Sequence, residues 1–121
     1  MPTNYRDLLV WEKSMKLVEA VYALARCLPP DERFALCDQM RRSVVSIPSN
    51  IAEGHGRFSS REFGQFLSVA RGSLFEVTTQ LYICERVGYF SHAQIESALS
   101  LSQEIEKMLS ALVKKLKDGD A

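Results

Sequence analysis

The chain has 121 residues, 46% of them hydrophobic and 25% charged, with 15 basic and 15 acidic side chains. That length predicts one domain with a modest core of its own, and the balanced charge argues against a dedicated nucleic-acid protein. No apolar run approaches the ~18 residues of a membrane helix, and the opening residues lack the basic segment and apolar core of a signal peptide, so a cytoplasmic address is expected.

Residues 1–7 read as a short extended arm. Helix one is predicted over Leu8–Leu28, stopping at Pro29-Pro30. Its apolar residues, from Val10 and Trp11 through Met15, Val21 and Tyr22 to Leu28, cover nearly half the circumference, more than one packing partner needs.

Helix two is predicted to start at Asp31-Glu32, where acidic side chains suit the positive end of the helix dipole. It runs through Phe34, Leu36, Cys37 and Met40 into Arg41-Arg42-Ser43-Val44-Val45-Ser46-Ile47-Pro48-Ser49-Asn50-Ile51-Ala52-Glu53-Gly54-His55-Gly56-Arg57. Wound at ~3.6 residues per turn, Met40, Val44, Ile47 and Ile51 share one face, with Arg42, Ser46, Ser49 and Glu53 opposite. Pro48 costs roughly 3 kcal/mol inside a helix and removes a backbone bond to Val44. The apolar period continues past it, which predicts one helix through a proline patched by Ser46 and Ser49 rather than a helix ending at Ile47. The end is placed at Gly54-His55-Gly56, with glycine free to take positive φ at the cap.

Helix three opens on a capping box, Ser59 to Glu62, and carries Phe63, Phe66, Leu67, Ala70, Leu74, Val77, Leu81 and Cys84 in its main stripe. A second strip holds Phe75 and Tyr82 beside Arg71 and Thr78. Gly72 lies mid-helix, where close approach of another helix would offset its ~1 kcal/mol penalty. Gly88 ends the element. Helix four opens on a second capping box, Ser91 to Gln94, and carries Ile95, Leu99, Leu101, Ile105, Met108, Leu109, Leu112, Val113 and Leu116. Residues 118–121 are read as a tail. With no strand pattern and short connections, the expected fold is an all-α, antiparallel up-down-up-down four-helix bundle over residues 1–121.

Little in the sequence carries chemistry. Cys27, Cys37 and Cys84 are odd in number and widely spaced, and are expected to be buried free thiols; a catalytic thiol would want a histidine and an electropositive setting. His55 and His92 belong to no metal-ligand spacing, so no metal and no cofactor is expected. Gly54-x-Gly56 follows a helix and not a strand, which rejects a dinucleotide fingerprint. The same loop, with Gly54, Gly56, Arg57 and Ser59, is a candidate anion site at the start of helix three; the competing reading is a loop closed by glycine and a capping serine. Residues 33–71 carry six arginines against Asp38, Glu53 and Glu62. Arg41, Arg42, Arg57, Arg61 and Arg71 are the candidate nucleic-acid contacts; the competing reading is a solvated face with salt bridges.

The motif combination resembles the four-helix-bundle proteins encoded in intervening sequences of bacterial 23S ribosomal RNA genes. The matching stretches are Asp7-Leu8-Leu9-Val10-Trp11-Glu12-Lys13, Leu28-Pro29, Gln39 through Gly54, Glu62-Phe63, Phe66 through Glu76, Gln80-Leu81 and Gly88-Tyr89. The resemblance implies a cytoplasmic homopentamer with no known enzyme activity. A similar bundle, the accessory variability determinant of diversity-generating retroelements, is a basic pentamer that binds nucleic acid and a reverse transcriptase; the zero net charge of this chain departs from it. The expectation is a non-catalytic oligomeric binding protein that engages RNA or an RNA-handling protein such as a reverse transcriptase. The alternative is a structural homo-oligomer with no nucleic-acid role. No small-molecule substrate and no membrane partner is indicated. Trp11, Met15, Tyr22, Phe75, Tyr82, Leu101, Met108 and Leu112 are the candidate oligomer interface, because together they form too much apolar surface to leave wet. Periodicity alone gives "oligomer"; the count of five comes from the resemblance. Ring closure would need two different surfaces per subunit, with helix one against helix three or four as the candidate pairing.

Overall fold

A computed structural model describes residues 1–119. The local signals at chain ends set the elements. Asn4 Oδ1 accepts from the Arg6 backbone N–H at 2.9 Å and closes a single 3₁₀ turn over Tyr5–Asp7 within the N-terminal arm. Helix α1 then spans Leu9–Ala25. It stops three residues short of Leu28, and the chain continues in i→i−3 bonds, Cys27 to Leu24 and Leu28 to Ala25.

Helix α2 spans Leu36–His55, so it begins five residues later than Asp31. Between Pro29 and Ala35 the backbone bonds run i→i−3, with a 3₁₀ turn at Pro30–Glu32. The acidic pair therefore sits on that turn and not on the first turn of α2. Glu32 instead reaches forward, its Oε1 accepting weakly from the Leu36 N–H at 3.5 Å, while its Oε2 accepts from the Tyr89 hydroxyl at 2.7 Å. Phe34, read as part of the apolar run, is 86% exposed.

Pro48 lies inside α2 and is buried, and the helix passes through it. The neighbouring carbonyls carry extra donors: Ser49 Oγ donates to Val45 O at 2.8 Å, and Asn50 Nδ2 donates to Ser46 O at 2.7 Å. Met40, Val44, Ile47 and Ile51 are all fully buried. Gly54 is not a cap with positive φ: it lies within α2, and Gly88 is the only glycine with positive φ among the described residues. Gly56, at the C-cap, has φ −76°.

Helix α3 spans Ser60–Arg86. Ser59 Oγ accepts from the Glu62 N–H at 3.1 Å. At the other end Gly88 (φ 88°) donates to Glu85 O and Tyr89 N–H donates to Cys84 O at 2.8 Å, the paired bonds of a Schellman cap. Helix α4 spans His92–Gly119, through Asp118 and Gly119 where a tail was expected; residues 120 and 121 lie outside the described residues. Its capping box is reciprocal, with Ser91 N–H on Gln94 Oε1 at 2.8 Å and Gln94 N–H on Ser91 Oγ at 3.3 Å.

The four helices pack in a closed ring in which α1 meets α2 and α4, and α3 meets α2 and α4. This is the antiparallel all-α bundle, and no strand occurs among the described residues. Leu17, Val21, Met40, Ile47, Leu67, Leu74, Leu81, Ile95, Ile105 and Leu109 fill the centre. The α2–α3 seam is the tightest. Ser43 Oγ meets Gln80 Oε1 at 2.8 Å, Ser46 Oγ meets Ser73 Oγ at 2.8 Å, and the two helix backbones close up at Gly54. A Cβ at Gly54 would lie 2.6 Å from Phe66 Cβ. Gly72 has no such neighbour: it is exposed, and a Cβ there would meet nothing within 4 Å, so no other described helix of the chain approaches it.

Candidate functional site

The five candidate arginines lie in three places. Arg41 and Arg42 stand on the first half of α2, Arg57 and Arg61 flank the α2–α3 junction, and Arg71 faces α4. Along α2, at ~1.5 Å per residue, Arg41 and the junction are roughly 20 Å apart, so the chain does not gather all five in one place. Two of them are neutralised. Arg42 Nε pairs with Asp38 Oδ2 at 3.1 Å, and Arg71 Nε pairs with Glu106 Oε1 at 3.1 Å. Arg71 also covers the Phe75 ring, 4.7 Å from its centroid. Arg41, Arg57 and Arg61 make no ion pair among the described residues. Arg57 stacks 4.8 Å from the Phe66 ring centre, and Arg41 lies 5.4 Å from that of Tyr22. Such stacking holds a guanidinium in place without cancelling its charge.

The glycine loop is committed to structure. Gly54 is buried in the α2–α3 seam, Ser59 caps α3, and His55 Nε2 lies 2.7 Å from Pro2 O. Arg57 and Ser59 still border a shallow groove of about 210 Å³ with His55, Phe58 and Phe63. Gly54 cannot take part in it, because its missing side chain is filled by Phe66.

The apolar interface candidates split as well. Trp11, Tyr22, Leu101, Met108 and Leu112 are half-buried and already pack against the core, and Met15 is half-buried. Trp11 also takes an edge contact from Tyr5 at 5.4 Å, so the N-terminal arm covers part of α1. Phe75 and Tyr82 stay 44% and 46% exposed. They flank a groove of about 290 Å³ between α3 and α4, with Leu74, Leu99 and Ser102 at its base. The sequence reading missed Val69 and Ile83, which are also exposed on α3, and Val87 at its C-cap. Their signal was present in the spacing of Val69 and Ile83, four helical turns apart on the side away from the main stripe.

A second missed grouping lies where α1 turns into α2. Arg26, Arg33 and Arg41 line a cleft of about 430 Å³ together with Leu28, Pro29, Pro30 and Cys37. None of the three forms an ion pair among the described residues. Arg41 Nε is buried with no hydrogen-bond partner. The signal available was the Pro29-Pro30 turn, which folds Arg26 back toward Arg33.

The titratable groups with distinct surroundings are the cysteines, Tyr89 and His92. Cys27 is exposed, contrary to expectation, because it lies past the end of α1; Cys37 and Cys84 are buried, and all three are free thiols. Burial, aided by the nearby Glu32 charge and opposed by a backbone hydrogen bond, raises the Cys84 thiol to about 11. The Tyr89 hydroxyl is raised chiefly by its hydrogen bond to Glu32. His92 Nδ1 lies 3.0 Å from Glu85 Oε2, far from His55 in the fold. Among the described residues, no three His, Cys, Asp or Glu side chains are grouped so as to hold a metal ion. No helix there is long and apolar enough to cross a membrane.

Comparison with known proteins bears on the fold and the family together. The model of the family described as 23S rRNA-intervening sequence protein matches residues 6–111. A crystal structure of a protein with unknown function from the S23 ribosomal protein family, from Bacteroides thetaiotaomicron, is similar with a TM-score of 0.81 and 29% identity, covering 88% of this chain and 99% of that one. No curated protein matches. The chain belongs to the 23S rRNA-intervening sequence protein family.

Proposed function

We propose that this member of the 23S rRNA-intervening sequence protein family is a non-catalytic binding module. It assembles as a homo-oligomer, a pentamer on the family resemblance, and engages RNA or an RNA-handling protein such as a reverse transcriptase through an arginine-bearing surface in the cytoplasm. The observation that carries the reading is the set of exposed or half-exposed arginines with no carboxylate partner, Arg41, Arg57 and Arg61. An arginine left unpaired beside an aromatic ring keeps its full charge and its planar donor fork for a phosphate. Assembly would bring the two ends of neighbouring subunits together and multiply a small patch into a larger one. The exposed Phe75 and Tyr82 on α3 supply apolar surface for such assembly, with α1 of a neighbour as the candidate partner.

A second reading, assembly alone with no nucleic-acid role, draws on the zero net charge and on the pairing of Arg42 and Arg71 with acidic neighbours. Fluorescence anisotropy with single-stranded RNAs separates the two. Binding should appear at low salt, weaken as salt rises, and fall in the triple variant Arg41→Ser, Arg57→Ser, Arg61→Ser with its helical circular dichroism unchanged. An absence of binding to every RNA at low salt would leave assembly alone.

A further inference from the structure

We infer that the cleft between the end of α1 and the start of α2 is a nucleotide-phosphate seat, with Arg26, Arg33 and Arg41 on the phosphate and Phe34 under the base. Three guanidinium groups border one cleft, and no carboxylate lines it. Asp31 and Glu32 sit on the turn next to Arg33, but neither lines the cleft or forms an ion pair with the three arginines. Glu32 is held by the Tyr89 hydroxyl and the Leu36 N–H. Like charges gathered without a paired counter-charge repel one another, and an anion seated among them relieves that repulsion. The negative end of α1 accounts for a cation at Arg26; it does not account for Arg33 or Arg41.

The orphaned Arg41 Nε adds an independent argument. A buried N–H without an acceptor costs about 1–3 kcal/mol, and native proteins leave few such groups. The atom has no accessible surface, so an oxygen in the cleft becomes its acceptor once the Arg41 side chain turns outward. The rest of the wall is Leu28, Pro29, Pro30 and Cys37, apolar and short of competing donors, so the guanidinium groups dominate its polarity.

Phe34 is not part of the cleft wall, but it adjoins the cleft through Arg33 and points to the class of anion. Its ring is 86% exposed on the short turn beside Arg33, whose Cζ lies 5.2 Å from the ring centre. One face therefore carries a cation and the other is open. A bare phosphate has no use for an aromatic face, whereas a nucleotide has a base to stack on it. The ligand chemistry is a nucleoside phosphate, either free or as one unit of an RNA strand. The strand source rests on the proposed RNA reading; the free source does not.

The test uses the full-length protein with three probes: inorganic phosphate, adenosine 5′-monophosphate and a short oligoadenylate RNA. Nuclear magnetic resonance titration should shift the Arg33 and Arg41 Nε–H signals and the Phe34 ring with the mononucleotide. Arg26→Gln with Arg33→Gln, both at exposed positions, should weaken binding roughly tenfold or more. Phe34→Ala should weaken the mononucleotide and leave phosphate unchanged. Arg41→Lys keeps the charge and loses the planar fork, so it should weaken binding as well. If the oligoadenylate binds, the double variant should lower the slope of log affinity against log salt by about 0.7, the value for one phosphate contact on a single strand. Oligoadenylate binding that the double variant leaves unaltered would overturn the cleft and spare the RNA reading. Mononucleotide binding lost in the double variant, with no oligonucleotide binding at all, would uphold the cleft and remove the RNA reading. No response to any probe would overturn the inference.

Discussion

Gly54 and Gly72 are both helical glycines, and alanine should have opposite effects at them. At Gly54 an added Cβ would stand 2.6 Å from Phe66 Cβ, 3.0 Å from Phe63 Cδ1 and 3.3 Å from the Phe63 carbonyl oxygen. Carbon atoms sit comfortably at about 3.5–4.0 Å, so the first contact is short by roughly 1 Å. Phe66 Cβ is fixed to the α3 backbone and cannot rotate away. The helices must part along the α2–α3 seam, which also holds the Ser46–Ser73 contact. Overpacking of this kind costs about 1–3 kcal/mol, while alanine returns at most about 1 kcal/mol of helix propensity. Gly54→Ala should therefore be destabilised by about 1–2 kcal/mol, a fall in Tm of several degrees for a chain of this size. Gly72→Ala meets nothing within 4 Å, so the propensity gain stands alone and Tm should rise. Thermal melts by circular dichroism, with urea titrations to separate a stability change from a change in m-value, give both numbers. An equal or higher Tm for Gly54→Ala would refute the close-approach account.

Ser43→Ala should cost about 1–2 kcal/mol, because it removes the hydroxyl that meets the buried Gln80 Oε1; Gln80→Met on that background should restore part of it in a double-mutant cycle. A thiol reagent at pH 8 should label one cysteine in the native protein, Cys27, and all three after unfolding. The Cys84 thiol is raised from 9.0 to about 11 in the fold, so its contribution is complete below pH 9 and is lost as pH rises from 9 toward 11. Denaturant titrations across that window should show a steeper decline for the native chain than for Cys84→Ala. Phe75→Lys with Tyr82→Lys changes only half-exposed positions, and should lower the mass found by light scattering at micromolar concentration while leaving the helical spectrum intact; a monomer mass for the unaltered chain would remove the assembly reading.

The helices were legible wherever one face repeats without conflict. Met40, Val44, Ile47 and Ile51 continue the period on both sides of Pro48, and burial of that face outweighs a proline penalty of roughly 3 kcal/mol. The two serine caps and Gly88 were legible because each satisfies specific backbone groups. The start of α2 was not. Asp31-Glu32 has the composition of a first turn, but the two prolines before it and the exposed Phe34 after it leave no face to bury until Leu36. Gly54 was misread for a related reason: sequence shows a glycine near a helix end, and only the neighbouring helix reveals that it is there to admit Phe66.

The candidate site was less legible than the fold because charge has no period. A count over residues 33–71 gives an excess of arginine, but the counter-charges come from elsewhere: Arg71 is neutralised by Glu106, which lies 35 residues away on α4. The same count misses Arg26, which lies outside the window and is returned to Arg33 and Arg41 by the proline turn. Partner geometry thus reorders the arginines. Arg42 and Arg71 fall back as phosphate contacts because each would have to break a charged hydrogen bond first, whereas Arg41 moves forward because it has an orphaned donor to satisfy. An arginine-to-glutamine series should follow that order, with Arg41 the most damaging to anion binding and Arg42 the least.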